Sequence, residues 1–205
     1  MTHKELWRLS ASQLAQSIKT RSVSSREVIE AHLARIALLN PRLNALTQLF
    51  NQAALAQADR ADTKIATGET VGPLHGVPFT IKESIDLAGA PPTQGVAALQ
   101  GVIPPEDAPA VARLKAAGAI PLDHTNLPDF QLRWHTDSSL YGPTFNPWDK
   151  TLSPGGSSGG EAVTVATGMS PLGLGGDYSG SLRLPSQANG IACLKPSRGR
   201  IASAG

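Results

Sequence analysis

The stretch Ser153-Pro-Gly-Gly-Ser-Ser-Gly-Gly160 is followed, 24 residues after Ser157, by Gly180-Ser181, and the use made of these glycines and serines decides how the rest of the chain reads. Glycine tolerates positive φ and puts no side chain in the way, so such turns bring backbone N–H groups close to a ligand. A phosphate-binding loop needs Lys after the last glycine, whereas Glu161 follows here and would repel the phosphates. Gly155-Gly-Ser157-Ser-Gly159 and Gly156-Ser-Ser158-Gly-Gly160 both satisfy G-x-S-x-G, the strand-turn-helix motif that exposes a nucleophilic serine. That motif takes Asp and then His from later in the chain, and no histidine follows His135. A histidine triad in that order is impossible within this chain. The third reading of the same residues is a flexible turn without chemistry.

A base for either serine must come from elsewhere. The apolar run Val77-Pro-Phe-Thr-Ile81 reads as a strand and ends in Lys82. Burial disfavours an ammonium group by up to ~3–5 pKa units, enough for a lysine to accept a proton at neutral pH, and Ser-Lys pairs are a known variant of triad chemistry. Against this stands a lysine that pairs with Glu83 or extends its head into water at the strand end.

Upstream, Ser10-Ala-Ser-Gln13 and Ser24-Ser-Arg-Glu27 fit the capping-box spacing and start two helices. The second carries Val28, Ile29, Leu33 and Ile36 at helical spacing and is expected to stop at Asn40-Pro41. His32, near its apolar face, reads as a packed or surface residue rather than a ligand. A strand over Ala45 to Phe50 and an alanine-rich helix over Asn51 to Ala66 follow. From there, apolar runs at Val77 to Ile81 and Ile120 to Leu122 alternate with helices at Ala108 to Ala117 and Ser158 to Thr167, which is α/β rhythm, closed by a strand at Pro171 to Leu174. The polar and aromatic segment from Leu127 to Pro154 is too long for a passive loop and is expected to wrap a site. Residues 1–66 read as an amino-terminal helical region and 67–205 as the α/β core.

Composition sets the outer limits. Of 205 residues, 40% are apolar and 17% charged, which excludes a disordered chain, and 18 basic against 16 acidic side chains leave a net charge of +2 without the footprint of a nucleic-acid or lipid-surface binder. The one cysteine, Cys193, excludes an internal disulfide and a cysteine-based zinc cluster; in Ile191-Ala-Cys-Leu194 it reads as a buried apolar thiol. No signal-like or membrane-spanning run is visible, so the expected location is the cytoplasm.

Gly173-Leu-Gly-Gly-Asp-Tyr-Ser-Gly-Ser-Leu-Arg183, together with residues 154–160 and with Gly76-Val-Pro-Phe-Thr-Ile-Lys-Glu83, resembles the amidase signature family of serine hydrolases. Asn146-Pro-Trp-Asp149 and Leu194-Lys-Pro196 add to the resemblance, which runs from about Leu74 to Gly205. It implies an α/β fold with a mixed β-sheet flanked by helices. It implies Ser181 as nucleophile, Ser157 as bridging serine behind a cis peptide bond, and Lys82 as base. The N–H groups of Tyr178, Ser179, Gly180 and Ser181 would form the oxyanion hole, and Asp177 with Arg183 a supporting ion pair. Gly176 stands where the family commonly has Thr, Ser179 replaces a glycine, and Asp123-His124 replaces a common Gly-Lys pair.

The implied reaction is hydrolysis of a small-molecule carboxamide through an acyl-enzyme, with neither metal nor cofactor, and with no direct nucleic-acid or membrane partner. Two rivals remain. One is the amidase component of a glutamyl-tRNA(Gln) amidotransferase, its A subunit, which frees ammonia from glutamine for partner subunits. The other is an inactive fragment or non-catalytic module, since members of the family are about twice as long. In that case the carboxy-terminal half of the domain is missing, and the exposed edge of the shortened sheet would invite a homodimer or other association.

Overall fold

A computed structural model describes residues 3–202 and 204–205. A 3-10 turn over His3–Arg8 leads into α1 (Ala11–Lys19) and α2 (Ser25–Leu43). Both expected capping boxes are present: Ser10 accepts from the Gln13 N–H and Ser24 from the Glu27 N–H, while the Gln13 and Glu27 side chains reach back to the cap N–H groups. Each box satisfies two donors that a helix start otherwise leaves unpaired. His32 is buried in α2, with Nδ1 2.8 Å from the Val28 carbonyl.

Helix α2 does not stop at Asn40-Pro41 but runs through Pro41 to Leu43. Proline within the last turn removes only one ladder bond, and Asn40 compensates around it. Its backbone carbonyl accepts from the Asn44 N–H at 2.8 Å, and its side-chain oxygen accepts from the N–H groups of Ala45 and Leu46, each at 2.9 Å. Asn44, at φ 50°, then turns the chain into strand β1 (Leu46–Leu49), and α3 (Asn51–Ala66) follows at the expected bounds.

Strand β2 (Pro78–Lys82), helix α4 (Pro109–Ala116) and strand β3 (Ile120–Thr125) form the next unit. β3 extends three residues past the apolar run expected to end it. It lies between β1 and β2, antiparallel to the first and parallel to the second, so Asp123, His124 and Thr125 are buried despite their polarity. The segment from 127 to 154 holds a short hairpin, β4 (Asp137–Ser138) with β5 (Gly142–Pro143). Helix α5 (Gly159–Ala166), strand β6 (Gly173–Leu174) and helix α6 (Arg183–Asn189) complete the order, and the main sheet runs β1-β3-β2-β6. The fold is α/β with a mixed sheet, as the resemblance implies.

Alternation along β2 divides its side chains between two layers. Phe79 and Ile81 enter one apolar cluster with Val111 of α4, and Thr80 faces the other way, onto α5. A second cluster joins Ile29 and Ile36 of α2, Ala54 and Ala58 of α3, Ile120 and Leu122 of β3, and Val163 of α5. The sheet is thus covered by helices on both faces, and the C-terminal ends of its parallel strands β2 and β6 lead to Lys82 and to the loop carrying Ser181. After the left-handed cap Gly190, residues 191–198 form no strand or helix. Cys193 is therefore exposed rather than buried, as is Leu194, because no neighbouring element covers that segment among the described residues.

Candidate active site

Helix α5 approaches the sheet closely enough to exclude any side chain at its second residue. A Cβ on Gly160 would lie 2.5 Å from the Asn126 carbonyl oxygen and 2.6 Å from that of Ala45. That approach sets the preceding serine loop against the end of β2. The Gly156–Ser157 peptide is cis, as the resemblance implies. The long segment from 127 to 154 does wrap this loop: Thr136 Oγ1 donates to the Gly155 carbonyl at 2.8 Å and accepts from the Gly159 N–H at 3.1 Å.

Lys82 neither pairs with Glu83 nor reaches water. Its side chain is fully buried, and Nζ donates to Ser157 Oγ at 2.6 Å. Desolvation pulls its pKa down from 10.5 to about 7, against the opposing pull of the Glu161 and Asp177 carboxylates. Glu83 points elsewhere: its Oε1 accepts from Thr93 Oγ1 and Tyr141 OH, each at 2.6 Å, and from Gln48 Nε2 at 3.1 Å.

Ser181 is brought to the same loop through its backbone. Its carbonyl accepts from the Ser158 N–H at 3.0 Å, and Ser158 Oγ donates to the Gly176 carbonyl at 3.1 Å, so Ser158 ties both ends of the turn 176–181 to the serine loop. Ser181 is 7% exposed, and its hydroxyl has no hydrogen-bond partner among the described residues. Asp177 organises the turn from inside. It accepts from the N–H groups of Gly180 at 2.8 Å, Leu182 at 3.2 Å and Arg183 at 3.1 Å, and takes the Arg183 guanidinium bidentately at 2.9 and 3.0 Å. The guanidinium, with these N–H groups, holds the Asp177 carboxyl well below its usual range. Of the four N–H groups named as oxyanion donors, that of Gly180 is occupied by Asp177. Those of Tyr178, Ser179 and Ser181 have no partner among the described residues. Tyr178 itself is fully exposed.

Two residues of this site escaped the sequence reading. Ser158 looked like half of an ambiguous motif. Glu161 looked only like an obstacle to phosphate, yet it lies buried against strands β2 and β3. Its Oε2 accepts from Thr125 Oγ1 at 2.6 Å, and its Oε1 from Thr80 Oγ1. Burial raises its pKa from 4.5 to about 7. A Cβ on Gly173 would fall 2.0 Å from Glu161 Oε1, which explains the glycine in β6. The available signal was an acid in the first turn of an otherwise small and apolar helix. Among the described residues, no cluster of His, Cys, Asp and Glu could hold a metal ion, and no helix is long and apolar enough to cross a membrane.

The arrangement offers a buried lysine on a serine, a second serine on an adjoining turn, and open N–H groups beside it. Similar proteins carry the same fold. The Amidase family model matches residues 27–205. An indoleacetamide hydrolase of Bradyrhizobium diazoefficiens is 46% identical over 96% of this chain and 37% of its own length. The A subunit of the glutamyl-tRNA(Gln) amidotransferase from Acidothermus cellulolyticus is 42% identical over 98% of this chain and 40% of its own. Among solved structures, a fatty acid amide hydrolase superposes with a TM-score of 0.87, at 33% identity over 90% of this chain and 33% of its own. The peptide amidase of Stenotrophomonas maltophilia gives 0.82 at 36% identity, over 86% of this chain and 38% of its own. The chain spans about two fifths of the length of the curated relatives it matches. From residue 27 to its last residue, this chain belongs to the Amidase family.

Proposed function

We propose that the protein carrying this chain hydrolyses a small carboxamide through an acyl-enzyme on Ser181. Neutral Lys82 takes the proton of Ser157 as Ser157 takes that of Ser181, so the Ser181 oxygen gains its charge only while bonding to the carbonyl carbon. The tetrahedral oxyanion would be met by the free N–H groups of the 178–181 turn, where one donor is typically worth ~2.7–4 kcal/mol. The amine leaves with a proton returned from Lys82 through Ser157, and water then releases the acid by the same relay. The observation that carries this reading is the 2.6 Å hydrogen bond from Lys82 Nζ to Ser157 Oγ, between two buried side chains. Asp177 and Arg183 support it by shaping the turn, and the single cysteine goes with a cytoplasmic setting.

Arylacetamides are the first substrates to assay, since the Bradyrhizobium relative is named an indoleacetamide hydrolase. We expect turnover from the full-length protein rather than from residues 1–205 alone, because that relative is matched over only 37% of its length. The test compares the wild-type protein with its Ser181→Ala and Ser157→Ala variants. Loss of all turnover in the first and a small remainder in the second is expected; undiminished turnover in Ser181→Ala overturns the assignment.

A second reading is supported by the amidotransferase relatives at 40–42% identity. On that reading the same relay frees ammonia from glutamine and the protein purifies with partner subunits. Isolation from its natural source separates the two: a free enzyme active on amides alone favours the first, a stable complex active on glutamine the second.

A further inference from the structure

Five residues other than glycine have a left-handed backbone among the described residues, and three of them, Gln94 (φ 53°), Phe130 (φ 51°) and Gln131 (φ 62°), meet in one contact. That conformation costs a residue with a side chain free energy and persists only where its surroundings hold it. The Phe130 N–H donates to the Gln94 carbonyl at 2.9 Å, the Gln131 N–H to the Pro128 carbonyl at 2.8 Å, and Gln131 Nε2 to Gln94 Oε1 at 3.2 Å. The contact is tied to the end of β2, since Thr93, next to Gln94, donates to Glu83, next to Lys82. What the strained loop presents is the other end of the Gln131 carboxamide. Its Oε1 receives no hydrogen bond among the described residues. It borders an open space at Gly176, where an added Cβ would lie 3.9 Å from Gln131 Oε1 and 4.0 Å from Lys82 Nζ, with nothing nearer.

We infer that Gln131 is a specificity-determining residue whose Oε1 accepts an N–H from the leaving nitrogen of the substrate, so that the site selects carboxamides keeping an N–H there over esters and N,N-dialkyl amides. This deepens the proposed amidase reading and rests on it. In that relay the leaving nitrogen takes its proton from Ser157 Oγ, so it comes within hydrogen-bond reach of an atom that is itself 2.6 Å from Lys82 Nζ. The space at Gly176 adjoins the same Nζ, and the Gly176 carbonyl, accepting from Ser158 Oγ at 3.1 Å, keeps that space against the serine loop. A carboxamide nitrogen placed there still has an N–H to satisfy, and Gln131 Oε1 is an acceptor with none of its own. An ester oxygen in the same place would set acceptor against acceptor, and a dialkylated nitrogen would bring carbon to it, which leaves the Gln131 oxygen unpaired in both cases. The Gln131 amide is not free to turn its NH2 toward an ester, because Nε2 is engaged by Gln94. Discrimination thus comes from a poor fit to the wrong substrate as much as from a bond to the right one.

The test measures, in the full-length protein, kcat/KM for an arylacetamide and for the methyl ester of the same acid, and takes their ratio. Gln131→Met keeps the length of the side chain and removes the acceptor, so the amide-to-ester ratio should fall about tenfold, the worth of one neutral hydrogen bond. A merely structural role would lower both substrates together and leave the ratio where it was. Gln94→Met, which releases the anchor of the Gln131 amide, should move the ratio the same way by less, and serves if Gln131→Met fails to fold. An active amidase whose ratio is unmoved by either variant overturns the role of Gln131 and leaves the amidase reading standing. A wild-type protein that takes a fluorophosphonate on Ser181 and cleaves the ester but no amide overturns the amidase reading itself, and the inference with it.

Discussion

Asp177 and Arg183 meet in a two-point ion pair, 2.9 and 3.0 Å, at the base of the turn that presents Ser181, and Asp177 alone also accepts three backbone N–H groups of that turn. Its carboxylate side chain is 2% exposed while the arginine is 58% exposed, so the acid is the structural partner and the arginine its cover.

Replacing Asp177 by Ala should therefore act on catalysis through geometry. The turn loses five hydrogen bonds, and a displacement of ~1 Å at the reacting oxygen costs about a hundredfold in rate. We expect kcat/KM and the rate of fluorophosphonate labelling to fall together by about that factor. Unchanged labelling kinetics would show that the turn is held by other contacts. Since the folded-state pKa of Asp177 lies below its unfolded value of 3.8, its contribution is present above that pH and is lost as the pH falls further.

Lys82 sets the opposite pH dependence. Its folded-state pKa is lowered from 10.5 to about 7, so the neutral base predominates above pH 7 and the kcat/KM profile should show an acid limb there, falling tenfold per unit below it. The unfolded chain holds the lysine proton up to 10.5, so burying this residue costs stability at and below pH 7, and the cost fades between 7 and 10.5. A pH–rate profile flat from pH 5 to 9 would contradict this, those limits being about two units either side of the midpoint.

Gly173 and Glu161 occupy one space. Gly173→Ala places a Cβ 2.0 Å from Glu161 Oε1, where neither the β6 backbone nor the doubly hydrogen-bonded carboxylate has room to give. Overpacking of this kind typically costs about 1–3 kcal/mol, and urea unfolding should show the midpoint lowered accordingly. An unshifted midpoint would mean that Glu161 can leave its threonines freely.

Cys193 should react with a maleimide in the native 205-residue chain as fast as in denaturant, one label per chain, because it is exposed and is the single thiol. Native protection would place an unrecognised cover over residues 191–194.

What could be read in the sequence divides by the range of the contact. The capping boxes at Ser10 and Ser24 are closed within four residues, so their spacing sufficed. The pairing of Lys82 with Ser157 spans 75 residues, and residue chemistry alone left it among several options until the family resemblance joined the two segments. Where an element depends on its neighbours, local reading stopped short. Asp123, His124 and Thr125 looked too polar for a strand, yet a central position between β1 and β2 buries them. Pro41 looked like a terminus, and the Asn40 side chain carries the chain past it. Glu161 gave no hint of its partners because both threonines come from other strands, and Cys193 was misread because an apolar sequence does not by itself supply a neighbour.

The central claim is that Ser181, and neither serine of the 157–158 pair, bonds to the substrate. Incubating the full-length protein with a fluorophosphonate, digesting it and mapping the modified peptide tests that directly. The account predicts one phosphonylated residue, Ser181, with labelling abolished in Ser181→Ala and slowed in Lys82→Met. A label on Ser157 or Ser158 with Ser181 untouched would contradict it.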